Sequence, residues 1–173
     1  MSESDRKALA ADISAASRLR GTFTLRSGQV SDQYFDKYRF EADPALLARL
    51  AAAMAPLVPA EAQVLAGLEL GGVPIATAIS LHTGLRAAFV RKQAKTYGTC
   101  LAVEGGAVAG LKVAMIEDVI STGGAVVDAA RLLREAGAEI VAVVCAIWRG
   151  AGEPAIPGLD VPVRAAFRMA ELP

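Results

Sequence analysis

The sequence predicts an α/β protein with an open, mostly parallel sheet flanked by helices. From residue 64 onward, short apolar runs alternate with helix-like segments, which is the pattern of parallel strands joined by crossover helices. The chain has 173 residues, of which 54% are hydrophobic, and this is enough to bury a well-formed core. Because its length is that of one ordinary domain, we expect residues 1–173 to form a single domain.

Composition argues against several classes of function. Eighteen basic residues balance eighteen acidic residues, so the overall charge predicts neither a nucleic acid nor a membrane surface as a partner. The two cysteines, Cys100 and Cys145, form no CxxC motif and the chain has one histidine, which argues against a disulfide framework and a zinc site. The N-terminus is polar, and the longest apolar run, IVAVVCAIW, has about half the length of a membrane-spanning helix. We therefore expect a soluble protein of the cytoplasm.

The first forty residues predict a helix followed by a hairpin. Residues 4–17 carry an apolar face at helical spacing, with Ser4 or Asp5 near the N-cap. The next stretch, residues 21–40, alternates apolar and polar residues around a Ser-Gly turn, which is typical of two short antiparallel strands. We expect this part of the chain to be an appendage to the main sheet.

Helices and strands then alternate along the rest of the chain. Asp43 followed by Pro44 predicts the start of a helix, whose spacing continues until Pro56 and Pro59. Residues 92–110, KQAKTYGTCLAVEGGAVAG, interrupt the alternation, and because long polar loops are more often functional than not, we predict a mobile lid there. The predicted strands are VLAGLE, RAAFVR, KVAMIED and EIVAVVCAIW, and the predicted helices between them are VPIATAISLHTG and AVVDAARLLREAG.

One apolar run ends in two acids and a turn of small residues. Residues 113–116 predict a buried strand, Glu117 and Asp118 follow it, and VISTGG leads into a helix that begins near Ala125 and stops before Gly137. A turn between the carboxyl end of a strand and the start of a helix offers free N–H groups and a favourable helix dipole, which suit a phosphate. Hydroxyl groups in the turn add donors, and its glycines let the backbone come close to a ligand.

Two carboxylates beside a phosphate would repel it unless they face another group. Ribose hydroxyls and a divalent cation bridging to the ligand are the groups that suit them, which predicts a phosphorylated sugar bound with Mg²⁺. The turn lacks the GxxxxGK[ST] of P-loop enzymes and the GxGxxG of dinucleotide folds, so both of those functions lose support. The alternative is a solvated strand end followed by an ordinary turn.

The segment MIEDVISTGGAVVDAARLLREAGA resembles the phosphoribosyl diphosphate signature of type I phosphoribosyltransferases. Three further segments resemble the orotate phosphoribosyltransferases in particular: GTFTLRSGQVSDQYFD their N-terminal signature, VRKQAKTYGT their mobile catalytic loop, and AIWRGAG the segment that presents an arginine to orotate. The resemblance implies a five-stranded, mostly parallel sheet and a small hood formed mainly by residues 1–40 with a C-terminal contribution. It also implies a homodimer in which the loop of each subunit reaches its partner.

The same resemblance assigns residues to phosphoribosyl diphosphate. Glu117 and Asp118 would bind the ribose hydroxyls, directly or through water on a Mg²⁺ that the ligand itself holds. Arg91, Lys92 and Lys95 suit the leaving diphosphate, whose charge grows as the glycosidic bond breaks, although a solvated basic loop is the alternative. The catalytic candidates are Lys95, Arg91 and Asp118. The 5-phosphate would lie on Val119, Ile120, Ser121, Thr122, Gly123, Gly124 and Ala125.

Further residues would complete the diphosphate site. Gly71 and Gly72 would bind diphosphate through backbone N–H groups, and some relatives have a lysine in place of Gly71. Arg26 stands where many relatives have a lysine that contacts the diphosphate or the base. Tyr97 stands where many relatives have a histidine, and because a tyrosine is uncharged near neutral pH, it is a poor candidate for an acid.

The resemblance also implies the second substrate and the reaction. Orotate would contact Tyr34, Phe35, Ser121 and Arg149, and Arg149 would pair with its carboxylate, whereas core packing is the alternative for the two aromatic residues. The reaction would transfer 5-phosphoribosyl to orotate and give orotidine 5-phosphate and diphosphate in UMP synthesis. The alternatives are a phosphoribosyltransferase for another nucleobase, against which Arg149 and FTLRSG argue, and a regulator that senses phosphoribosyl diphosphate, against which the neutral charge argues.

Overall fold

The computed structural model describes residues 1–25, 27–93 and 101–173. Within these ranges the helices are α1 (Glu3–Ser17), α2 (Lys37–Ala42), α3 (Pro44–Met54), α4 (Gly72–Thr83) and α5 (Gly124–Glu135). The strands are β1 (Arg18–Thr24), β2 (Val30–Phe35), β3 (Val64–Leu68), β4 (Arg86–Val90), β5 (Val103–Glu104), β6 (Lys112–Ile120), β7 (Glu139–Trp148) and β8 (Val163–Arg168).

A six-stranded sheet in the order β5-β4-β3-β6-β7-β8 organises these elements. Strand β5 pairs with β4 antiparallel, and the other pairs in the sheet are parallel. The predicted α/β class with a mostly parallel sheet is therefore confirmed. The resemblance implied five strands, whereas the sheet has six, of which four match the predicted apolar runs. The other two are β8 and the two-residue β5, which lies inside the stretch predicted to be a loop and is too short to give a sequence signal.

Helix α1 was predicted correctly, but its capping residue was not. The helix begins at Glu3 because Ser2 is the N-cap: its Oγ accepts a hydrogen bond from the Asp5 N–H at 3.1 Å, and the Asp5 carboxylate accepts one from Ser2 in return. Ser4 and Asp5 were the predicted caps, and both lie inside the helix. Such a reciprocal cap satisfies two N–H groups that a helix start leaves free.

The hairpin formed by β1 and β2 was also predicted, yet it ends sooner than expected. The two strands pair antiparallel, and at Phe35 the chain leaves the hairpin. Asp36 then caps α2 by accepting a hydrogen bond from the Tyr38 N–H at 3.2 Å, so that the end of the predicted hairpin segment is a helix. A one-turn helix of six residues carries too short a pattern to be separated from a strand by periodicity.

Strand β6 is longer than predicted, and both acids lie within it. Pairing with β7 continues through Glu117 opposite Cys145 to Ile120 opposite Trp148, which keeps the backbone extended past the acids. The predicted strand KVAMIED reaches only Asp118, two residues before the observed end at Ile120. The apolar run stopped at Ile116 in the sequence, whereas hydrogen bonding to the neighbouring strand does not depend on side-chain polarity.

Two hydrophobic cores cover the two faces of the sheet. The first core joins α1, α2, α3 and α4 to one face through residues such as Leu9, Phe40, Leu50, Ile79 and Phe167. The second core joins α5 to the other face through residues such as Val126, Leu133, Met115 and Ile140. No helix within the described ranges is long and apolar enough to cross a membrane.

Candidate active site

A cleft of about 340 Å³ opens at the carboxyl ends of the central strands, which is where open α/β sheets bind their ligands. The turn after β6 forms one wall, and the residue after β3, Glu69, forms part of the other. The lining also includes Lys37, Tyr38, Leu70, Lys92, Glu117, Val119, Ile120, Ser121, Thr122, Gly123, Gly124, Ala125 and Val126. The structure therefore brings all of the residues predicted to bind the 5-phosphate into one cavity.

The turn before α5 takes its shape from Gly123. This residue has a φ of +81°, a left-handed conformation that favours glycine, and its carbonyl oxygen accepts hydrogen bonds from the N–H groups of Val126 and Val127 at 3.0 Å each. A Cβ at Gly123 would approach the side chain of Ile156 to 2.6 Å, so the position has no room for one. The conformation of this turn therefore requires a glycine at position 123.

Helix starts at the cleft differ from those elsewhere in the protein. Helices α1, α2 and α3 are capped by the side chains of Ser2, Asp36 and Asp43. Helices α4 and α5 begin after Gly71 and Gly123, which have no side chain with which to cap the first N–H groups. At the start of α5, Gly124 and Ala125 line the cleft, and the helix dipole favours negative charge there. At the start of α4, by contrast, the Val73 N–H is bonded to the Leu70 carbonyl and Pro74 has no N–H.

The two neighbouring acids start from opposite faces of the sheet. Alternation along β6 places Ala114 and Ile116 in the first core and Val113 and Met115 in the second. Asp118 therefore belongs to the side of the first core, and Glu117 belongs to the side of α5. Near the strand end the Glu117 side chain folds back, so that its Oε1 accepts a hydrogen bond from the Asp118 N–H at 3.2 Å.

Asp118 is fully buried and Glu117 lines the cleft. One carboxylate oxygen of Asp118 accepts a short hydrogen bond from the Val119 N–H, and the other lies 2.6 Å from the ammonium nitrogen of Lys37. Gly71 is packed so closely against Asp118 that a Cβ there would overlap the carboxylate. Of the two predicted acids, Glu117 is thus the one that reaches the ligand space in this structure.

The ionisation of this cluster is set by burial and by the lysine. Burial, together with a hydrogen bond to Asp118 and its negative charge, raises the pKa of Glu117 to about 9. Burial opposes the ionisation of Asp118 as well, but hydrogen bonds from Glu117 and Lys37 hold the pKa of Asp118 below its ordinary value. These contacts therefore favour the ionised form of Asp118, whereas burial favours the protonated form of Glu117.

The two basic residues that follow β4 lie near Glu69 and Glu117. Arg91 and Lys92 line a second cavity of about 220 Å³, which shares Glu69 and Glu117 with the cleft. The Lys92 N–H donates a hydrogen bond to Glu69 Oε2 at 2.9 Å, and the buried Nε of Arg91 has no partner among the residues that the structure describes. The predicted site residues Arg26, Lys95 and Tyr97 lie outside the described residues.

The remaining predicted residues do not line the cleft. Tyr34 stacks on Phe23 with ring centroids 5.5 Å apart and stays exposed, whereas Phe35 packs against the first core. Arg149 is exposed at the end of β7, and its N–H donates to the Ile120 carbonyl at 2.7 Å, so it lies beside the end of β6. Gly71 and Gly72 lie buried behind the cleft wall.

Sequence reasoning missed two charged residues of the site, Lys37 and Glu41. Both belong to α2, four residues apart on one helix face, and both contact the Asp118 carboxyl group electrostatically. A Lys–Glu pair at this spacing was the available signal, but the segment was interpreted as part of a hairpin. Their proximity to Asp118 depends on how α2 packs on the sheet, which no local pattern reveals.

Comparison with known proteins shows the family to which this chain belongs. The phosphoribosyl transferase domain family matches residues 39–165. An orotate phosphoribosyltransferase from Nocardioides sp. is 59% identical over 165 residues, which are 95% of this chain and 92% of that protein. The crystal structure of the Mycobacterium tuberculosis H37Rv orotate phosphoribosyltransferase in complex with Fe(III) dicitrate has a TM-score of 0.86 at 34% identity and covers 97% of this chain and 98% of that one.

The same M. tuberculosis enzyme in complex with 5-phospho-α-D-ribosyl 1-diphosphate has a TM-score of 0.82 at 31% identity, with 97% of this chain and 98% of that one covered. The family match, the identity to the Nocardioides protein and the cleft geometry all point to one assignment. This chain belongs to the phosphoribosyltransferase family, among its orotate phosphoribosyltransferases.

Proposed function

We propose that this cleft transfers the 5-phosphoribosyl group of phosphoribosyl diphosphate to orotate. The products would be orotidine 5-phosphate and diphosphate, in pyrimidine (UMP) synthesis. The relatives are named orotate phosphoribosyltransferase. The observation that carries the proposal is the single cavity that joins an uncapped helix start, Glu117 and Lys92. The helix start would bind a phosphate, Glu117 a sugar hydroxyl, and Lys92 a second phosphate group.

The turn and Glu117 would hold the substrate by its sugar phosphate. The N–H groups of 121–125 and the hydroxyls of Ser121 and Thr122 would donate hydrogen bonds to the 5-phosphate. Glu117 would contact the ribose hydroxyls, which lie between the phosphate and the reacting carbon. Holding the sugar at both ends orients C1 toward the incoming base, and such orientation accounts for a large part of the rate in reactions of this kind.

The basic residues after β4 would bind the diphosphate that leaves. Arg91 has a buried Nε without a protein partner among the described residues, so an anion in the neighbouring cavity would satisfy it. Lys92, and Lys95 beyond the described range, would add charge as the glycosidic bond breaks and negative charge builds on the departing oxygen. Gly71 and Gly72 would contribute backbone N–H groups of the α4 start.

Magnesium fits this arrangement as a cation carried in with the substrate. Glu117 offers hard oxygen atoms at the cleft, yet no group of three or more Asp, Glu, His or Cys within the described residues is arranged to hold a metal. Mg²⁺ would therefore be held mainly by the diphosphate and water, with Glu117 beside it. When bound, it would neutralise part of the diphosphate charge.

The proposal also includes the binding of orotate, a homodimer and a cytoplasmic location. Arg149 ends β7 beside the turn of β6, a position from which its guanidinium could pair with a carboxylate on the base. Tyr34 presents an exposed ring on the hairpin, whereas the packing of Phe35 supports a role in the core. The homodimer and the cytoplasmic location remain predictions, and sedimentation of the purified protein would test the first.

A comparative assay tests the proposed reaction. Purified protein with Mg²⁺ and phosphoribosyl diphosphate should consume orotate, followed by its ultraviolet absorbance, and leave uracil, adenine and hypoxanthine unchanged. Lys95→Ala should lower kcat by about 100-fold or more, because a charge that stabilises the transition state is lost. The control Lys7→Ala changes an exposed lysine on α1 and should turn over like the wild type.

Two results would contradict the proposal. Consumption of another base in preference to orotate would identify a phosphoribosyltransferase of different specificity. Binding of phosphoribosyl diphosphate in calorimetry without turnover of any of the four bases would instead identify a sensor protein.

A further inference from the structure

Lys37 joins the cleft to the buried acid behind it. Its ammonium nitrogen lies 2.6 Å from Asp118 Oδ2, so the two groups form an ion pair. The Lys37 side chain is 33% exposed, whereas the Asp118 side chain is 0% exposed. The lysine also lines the cleft that holds Glu117 and the turn before α5. One side chain therefore contacts both the ligand space and the buried carboxylate.

Among the described residues, Asp118 is fully buried and does not line the cleft. Lys37 covers Oδ2, the Val119 N–H occupies Oδ1, and the backbone of Gly71 closes the remaining side. Glu41, on the same helix as Lys37, lies nearby as a second buried acid. A buried carboxylate with another acid beside it requires a compensating cation, and Lys37 is the cation that the described residues provide there.

Asp118 is connected in turn to the acid that faces the cleft. Its N–H donates a hydrogen bond to Glu117 Oε1 at 3.2 Å, and the two carboxyl groups interact directly. A shift of the Asp118 carboxylate would therefore displace the side chain through which the ribose is proposed to be held. In metal sites, removing a group that orients a ligand-binding side chain typically costs about 10- to 100-fold in affinity or activity, and we expect a loss of the same order here.

We propose that Lys37 is a positioning residue for phosphoribosyl transfer, which fixes the Asp118 carboxylate and through it holds Glu117 in place against the ribose. This inference rests on the proposed function of the cleft. A lysine that contacted the diphosphate itself would act independently of Asp118, and a lysine with a purely structural role would leave the kinetics of the folded protein unchanged. Both alternatives make different predictions in a double-mutant cycle.

The cycle uses Lys37→Met, Asp118→Asn and the double variant, with orotate as the acceptor. Lys37→Met should lower kcat/KM for phosphoribosyl diphosphate by about 10- to 100-fold and leave KM for orotate within about twofold of the wild type. Because the lysine acts through the aspartate, the double variant should lose no more activity than the more impaired single variant. Lys37→Arg keeps the charge and should recover part of the loss. Lys7→Met, on the exposed face of α1, is the matched control.

Measuring Tm beside the kinetics separates a loss of stability from a loss of activity. Lys37→Met leaves the Asp118 charge buried and unpaired, so its Tm should fall, whereas the double variant removes that charge and should recover Tm without recovering activity. If losses in the double variant multiplied, Lys37 would act on the ligand directly and the inference would be wrong. Wild-type kinetics for folded Lys37→Met would overturn it too. Failure of the wild type to use orotate would count against the proposed function instead.

Discussion

Glu41 is an acid that folding buries in the first core without a hydrogen-bond partner for its Oε1 among the described residues. Burial, followed by the charge of Asp118 and a hydrogen bond to it, raises the pKa of Glu41 from 4.5 to about 9. The folded state therefore binds this proton more tightly than the unfolded state. The resulting stabilisation is fully present below pH 4.5 and is lost as the pH rises toward 9.

We predict that Glu41→Gln flattens this dependence, because glutamine has no proton to lose. One proton released on unfolding changes the free energy of unfolding by about 1.4 kcal/mol per pH unit, and urea unfolding at several pH values between 5 and 9 measures it. Glu117, with a pKa also raised to about 9, should leave a residual slope. Glu61→Gln, at an exposed turn position, should retain the wild-type profile. An unchanged slope in Glu41→Gln would show that Glu41 is ionised in the folded protein.

At the scale of residues, the sequence predicted two site acids but neither their orientation nor the lysine that contacts one of them. Glu117 and Asp118 were identified because two carboxylates before a glycine turn are chemically unusual. Which of them faces the ligand depends on strand alternation and on where β6 ends, and the end was misplaced. Lys37 meets Asp118 only when α2 packs on the sheet, so no spacing along the chain could have revealed the contact.

At the scale of elements, the turn between β6 and α5 gives a direct test of local geometry. Gly123→Ala should destabilise the protein by roughly 2–4 kcal/mol, because alanine is disfavoured at a φ of +81° and its methyl group would meet Ile156. Gly124→Ala is the matched control, since a Cβ there meets nothing within 4 Å and helix α5 has already begun. Chemical denaturation measures both variants, and equal stability would contradict the assigned turn conformation.

Elements with strong local signals were predicted well, and those with weak signals were not. Asp43 caps α3 as expected, its Oδ1 accepting from the Ala45 and Leu46 N–H groups at 2.9 and 3.0 Å. Strand β8, VRAAFR, was missed because Arg164, Arg168 and two alanines leave no apolar run. Its place at the sheet edge comes from pairing with β7, as in Cys145 opposite Ala165, which is a long-range contact.

At the scale of the whole molecule, the first helix packs on the last strand. The Arg6 guanidinium lies 4.8 Å from the ring centroid of Phe167, donates to the Ala166 carbonyl at 2.6 Å, and pairs with Glu171 at 2.7 Å. Phe167 is itself buried in the first core with Leu9. The two ends of the chain are thereby joined across one face of the sheet, and cooperative unfolding should include both.

We predict that Phe167→Ala lowers the free energy of unfolding by about 3–5 kcal/mol, because it leaves a cavity in the first core and removes the surface on which Arg6 lies. Leu81→Ala removes an apolar side chain that is 85% exposed and should change stability by less than about 0.5 kcal/mol. Denaturant unfolding followed by circular dichroism gives both values. A small effect of Phe167→Ala would mean that the first core does not extend to β8.

The overall architecture was predictable because it repeats one local rule. Alternating strands and helices force a parallel sheet with its ligand site at the carboxyl ends of the strands, whichever residues line that site. Edges and appendages follow no such rule, and it is there, in α2, β5 and β8, that the prediction departed from the structure. The site contains residues of both kinds: the turn before α5 was predicted from the sequence, whereas Lys37 on α2 was not.

The contact between Gly71 and the Asp118 carboxylate has an evolutionary consequence. Since no side chain fits at position 71 while that carboxylate keeps its place, the two positions cannot diverge independently. A lineage that acquired a larger residue at position 71 would have to turn Asp118 aside, which would also separate Asp118 from the ammonium group at position 37. Substitutions at these three positions should therefore be inherited as a set.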